Sequence, residues 1–104
     1  MANVTFISDK ISRIAAEQIE IPDKLNAVAA LLENEYGLRV NFCRIFGKRW
    51  SYVAGDRQME FALNRIRLNQ QYGIIYVQNK RLSEDDLERI LQALTQFLAK
   101  NSNE

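Results

Sequence analysis

Apolar positions along this chain change period twice, and the changes mark out its elements. Residues 8–20 carry Ile11, Ile14 and Ala15 at helical spacing, with Ile7 just before them and Ser8 as the expected N-cap. Pro22 interrupts this segment and suits the first turn of a second helix, expected from Pro22 to Tyr36. The second helix has the stripe Leu25, Val28, Ala29, Leu32 and Tyr36, and Gly37 should stop it with Leu38 folding back onto Leu32. From Leu38 the period drops to two. Val40, Phe42 and Ile45-Phe46 lead into Gly47-Lys48, a two-residue turn with glycine first, as a type II′ hairpin requires.

The return strand is RWSYVAG. Pairing Phe46 with Arg49 sets Ile45 opposite Trp50, Cys43 opposite Tyr52, Phe42 opposite Val53 and Asn41 opposite Ala54. One face of this hairpin is apolar, with Leu38, Val40, Phe42 and Val53, and should meet the helices. The other is mixed, with Asn41, Cys43, Ile45, Trp50 and Tyr52. Arg39 is expected near Asp56 as a surface pair. Residues 57–63 fit a strand or a short helix, and a strand continuing into Arg65–Leu68 is the expectation. Ile66 and Leu68 alternate there with Arg65 and Arg67. Asn69-Gln70-Gln71 forms a polar turn, and Tyr72 to Gln78, apolar on both faces, reads as a central strand.

The last helix is the most strongly marked. Ser83 is the N-cap with Asp86 at N3, Leu82 and Leu87 form a hydrophobic staple, and Glu84 and Asp85 complement the dipole. Its stripe is Leu87, Ile90, Leu91, Leu94, Phe97 and Leu98, and the tail from Lys100 to Glu104 is expected to fray. The elements together predict one α+β domain over residues 1–104, an antiparallel sheet with the N-terminal helices and the C-terminal helix on one face.

Composition narrows the chemistry. The chain has 104 residues, no histidine and one cysteine. That excludes Ser-His-Asp triads, histidine phosphorelay, His-based zinc, CxxC redox chemistry and all-cysteine zinc sites. Cys43 has no partner for an internal disulfide, so a reducing, cytoplasmic setting is expected. No run of 18 apolar residues occurs, and MANVTFISDK has neither a basic n-region nor a cleavage site, so no membrane span and no secretion are expected. Cys43 has no histidine to activate it and reads as a structural strand cysteine. Glu84, Asp85, Asp86 and Glu88 lie on a first helical turn, where capping explains them better than a metal does. No catalytic residue, metal site or cofactor is assigned, and the chain is not expected to be an enzyme.

Charge is segregated although the net is only +1. Residues 37–81 hold nine bases against Asp56 and Glu60, whereas the segments on either side are each net −3. The prediction is acidic helices over a basic sheet, although solvated helices favour acids in any case.

The segment Arg65-Ile66-Arg67-Leu68, a polar turn, Tyr72-Gly73-Ile74-Ile75-Tyr76-Val77, then Leu82-Ser83-Glu84-Asp85-Asp86-Leu87 resembles the C-terminal half of a GAF domain. In that family an R-x-x-L, turn, G-x-L-x-V hairpin precedes an LSEED helix. Pro22 to Val53 is similar to the family's opening helix and first hairpin. PAS-type and roadblock-like sandwiches share this layout and stay open as alternatives. The resemblance implies a sensory or regulatory module, but this chain departs from the family. GAF domains usually carry extra loops and helices that roof a ligand pocket, and here only Gly55 to Asn64 are available, so the pocket is expected to be open or absent. The family's cyclic-nucleotide signature, Asn-Lys-x-Asp, is not met by Gln78-Asn79-Lys80-Arg81, which lacks the acid. Bilin attachment needs a cysteine in the pocket roof, and Cys43 lies mid-strand. The methionine-sulfoxide reductase members need more than one cysteine.

The candidate binding residues are Arg44, Lys48, Arg49, Trp50, Tyr52, Arg65 and Arg67. The hairpin register places Trp50 and Tyr52, with Arg65 and Arg67, on the face away from the helices. Such a face can form a homodimer or take a protein partner, since Trp, Tyr and Arg dominate interface hot spots. It can also hold a small anionic ligand, or stack bases and contact phosphates as a nucleic-acid-binding protein would. Alternatively, Trp50 and Tyr52 simply cover the sheet beneath residues 57–63. The expectation is a small, non-enzymatic regulatory binding module, with nucleic-acid binding as the alternative.

Overall fold

The computed structural model describes residues 6–55, 64–78 and 82–101. Along the chain run α1 (Ile7–Ala15), α2 (Ile21–Tyr36), β1 (Leu38–Phe46), β2 (Arg49–Gly55), β3 (Asn64–Arg67), β4 (Tyr72–Gln78) and α3 (Glu84–Asn101). The four strands form one sheet in the order β2-β1-β4-β3, antiparallel throughout. The fold is therefore α+β, as the pattern predicts. The expected strand over 57–63 and the Arg39–Asp56 pair lie outside the described residues.

The first helix differs from its expected limits. It begins at Ile7 and stops at Ala15, and its N-cap is Phe6, with no side-chain capping bond. Ser8, expected as the cap, sits inside the first turn. Ile7 is buried to 2% exposure, so the apolar stripe starts one residue before Ser8 and draws the helix start with it. The end is fixed from outside, because Lys24 donates from Nζ to the Ala15 carbonyl at 2.7 Å. The second helix follows expectation closely. Pro22 lies in its first turn, all five stripe residues are buried, and Gly37 closes it with its N–H on the Glu33 carbonyl at 3.1 Å.

All three helices bury their stripes in one core with one face of the sheet. Leu25, Val28 and Leu32 of α2, Ile90, Leu94 and Leu98 of α3, and Val40, Phe42 and Ile74 of the two central strands belong to it, each at 1% exposure or less. Tyr72 and Tyr76 join from β4. The first helix lies against α3 and α2. The alternation Leu38, Val40, Phe42 supplies the helix-facing side of β1, as read from the sequence.

The hairpin turn also holds. Gly47 has φ 63 and Lys48 does not have a positive φ, the combination a type II′ turn needs. The register is as expected from Phe46/Arg49 down to Cys43/Tyr52. There it shifts by one, so that Phe42 pairs with Ala54 and Asn41 with Gly55. Val53 is the extra residue of a β-bulge rather than the partner of Phe42. The small Ala54, fully buried, stands beside Phe42 under the helices in its place.

The last helix runs two residues further than the expected fraying point and includes Lys100 and Asn101. Its start is as predicted. The Asp86 N–H donates to Ser83 Oγ at 3.1 Å, and Leu82 and Leu87 both pack against the core. Ser83→Ala is expected to lower stability by about 1 kcal/mol, read as a shift in the urea midpoint with the m-value unchanged.

Candidate functional site

The face of the sheet turned away from the helices is set by β-pairing. Cys43 stands between Tyr52 and Gly73, Asn41 between Gly55 and Ile75, and Ile45 beside Trp50. On the far side, Arg65 pairs with Ile75 and Arg67 with Gly73. Side chains alternate across a strand, so Trp50, Tyr52, Cys43, Ile75, Arg65 and Arg67 share this outer face.

Trp50 organises it. A Cβ added at Gly73 would lie 2.4 Å from two carbons of the Trp50 ring. The indole therefore reaches diagonally from β2 across β1 and rests on the bare backbone of β4. Glycine is what allows so close an approach. Above the ring lies Arg65, its Cζ 4.8 Å from the indole centroid. This cation–π contact on an exposed arginine contributes about 0.5–1 kcal/mol. Beneath this layer Cys43 and Ile45 are buried, whereas Tyr52 is 38% exposed and donates its hydroxyl to the Gly55 carbonyl at 2.9 Å.

Arg67 has a different occupation. Its Nε and Nη2 donate to the carbonyls of Asn69 at 3.1 Å and Gln70 at 3.0 Å. Asn69 Oδ1 accepts from the backbone of Gln71 and Tyr72, each at 2.8 Å. Together they close the β3–β4 turn, so Arg67 is held by the fold more than it is offered to a ligand.

Arg44 and Arg49, grouped with the aromatics in the sequence, are on the opposite side. Arg44 follows Phe42 at a spacing of two, and Arg49 pairs with Phe46. Both guanidinium groups lie over the Phe46 ring at cation–π distance, with Cζ 5.6 Å from its centroid for Arg44 and 5.3 Å for Arg49. Lys48 is exposed at the turn. The seven expected residues thus divide into an outer-face set, Trp50, Tyr52, Arg65 and Arg67, and a hairpin-end set, Arg44, Lys48 and Arg49. Phe46 and Gly73 complete these sets and were absent from the expectation. An isolated glycine inside an apolar strand is the signal that marks Gly73, and the parity of Phe46 with Phe42 is the signal that marks the second set.

Cys43 is a poor nucleophile. Burial pushes its thiol up from the ordinary 9.0, and Arg65 offsets this only in part. Burial likewise raises the phenol of Tyr36, and the hydrogen bond to Glu35 raises Lys10. In each case the folded chain keeps its proton to higher pH than the unfolded chain. Stability is then insensitive to these groups at neutral pH and falls as pH rises past the thiol's ordinary 9.0. Thermal melts at neutral and alkaline pH should show this decline, and a rise would contradict it. Among the described residues no three His, Cys, Asp or Glu side chains gather as a metal site would require. No helix among them is long and apolar enough to cross a membrane.

No family model, curated protein or solved structure matches the chain.

Proposed function

We propose that the chain is a small, non-enzymatic regulatory module of GAF-like build that works by binding a protein through its outer sheet face, a second copy of itself first among the candidates. The observation that carries this is the asymmetry of the sheet. Every described helix packs on one side, and the other side presents Trp50 beneath Arg65 beside a 38%-exposed Tyr52. These are the residue types that anchor interface hot spots, and a ring held flat by Gly73 and Arg65 loses little freedom when a partner covers it. The order from α2 onward, a helix, two hairpins and a helix, is consistent with the GAF resemblance and equally with PAS-type and roadblock-like sandwiches. The buried free thiol of Cys43 suits a reducing, cytoplasmic setting. The absence of histidine from the whole sequence supports binding over catalysis.

Sedimentation velocity across a concentration series tests the proposal. A dimer that Trp50→Ala and Tyr52→Ala each shift toward monomer is the expected result. A wild-type chain that stays monomeric and retains no protein partner, or a dimer indifferent to both substitutions, would overturn it.

A further inference from the structure

We propose that the far end of the β1–β2 hairpin, centred on Phe46, is a second binding surface that takes the phosphate backbone of single-stranded nucleic acid. It is separate from the Trp50 face and stands on different residues. Phe46 is 50% exposed beside the turn. Arg44 and Arg49 flank it at 5.6 and 5.3 Å, and Arg44 also lies 6.0 Å from the Tyr72 ring centroid. Lys48 is exposed between them in sequence. Among the described residues none of these three cations has a carboxylate partner, and the described ion pair, Lys10–Glu35, joins α1 to α2 elsewhere. Three uncompensated positive charges gathered at one hairpin end call for an anionic partner.

The geometry favours phosphate. A guanidinium lying over a ring at cation–π distance still has its N–H groups for bidentate contact with an anion. The exposed part of the Phe46 ring adds an apolar contact for bases, which an acidic protein would leave unused. A lipid bilayer fits less well, because inserting Phe46 would carry the two guanidinium groups beside it toward hydrocarbon.

Fluorescence anisotropy with labelled oligo(dT) and oligo(U), over a salt series, tests this. The wild-type chain should bind at low salt and weaken as salt rises. Lys48 and Arg49 are both exposed, so Lys48→Gln/Arg49→Gln should fold normally, with unchanged circular dichroism. That double variant should lose about tenfold in affinity and about 1.4 from the salt slope, at roughly 0.7 per phosphate contact on a single strand. Trp50→Ala should leave binding intact, which separates this surface from the one proposed above. Four results would each overturn the inference: no binding at low salt, an unaffected double variant, displacement of the oligonucleotide by polyglutamate at equal charge, or tighter binding to phosphatidylserine vesicles.

Discussion

Phe42→Ala is expected to cost about 3–5 kcal/mol, a large part of the stability of a domain this small. Phe42 is fully buried on a central strand, between Ala54 on one side and Ile74 on the other. Its ring belongs to the same core as the stripes of α2 and α3. Removing it leaves a cavity where sheet and helices meet, and Ala54 beside it is too small to fill the gap. Urea unfolding should show a much lower midpoint with a similar m-value. A loss below about 1 kcal/mol would mean that the helices do not pack on this face.

Gly73→Ala carries the next largest effect, about 1–3 kcal/mol, through overpacking. The new methyl would stand 2.4 Å from the Trp50 ring and 3.0 Å from the Ile66 carbonyl. Trp50 must then lift from β4 and leave Arg65. Exchanging Trp50 for alanine first should remove most of the penalty. A double-mutant cycle of Gly73→Ala and Trp50→Ala should therefore return a coupling of about 0.5–3 kcal/mol. Additive costs would show that the ring does not rest on Gly73.

Features governed by local chemistry were legible in the sequence. Ser83, Asp86 and the Leu82/Leu87 pair announce the start of α3, because a cap involves only residues within one turn of one another. Gly47-Lys48 fixes the register at the turn end of the hairpin for the same reason, which sets Trp50 and Tyr52 on one face, whereas Arg65 and Arg67 join them only through the β1–β4 and β3–β4 pairings. The bulge at Val53 was not legible. Period-two alternation assumes an unbroken ladder, whereas the bulge answers to a tertiary demand, the small Ala54 beneath the helices. Ser8 misled because a good capping residue one position inside a helix looks the same in sequence as one at its edge, and burial of Ile7 decided between them. The division of the arginines could have been read from parity alone, since Arg44 and Phe46 lie at even spacing from Phe42. The descent of Trp50 onto Gly73 spans three strands and has no local sign beyond the glycine itself.

A partner at the outer face would cover Trp50, the only tryptophan in the chain. Its emission reports on that face alone. Recorded through a dilution series alongside sedimentation, it should shift to the blue and lose access to a soluble quencher as the associated form builds up. Association that leaves the emission and quenching of Trp50 unchanged would contradict a partner seated on this face.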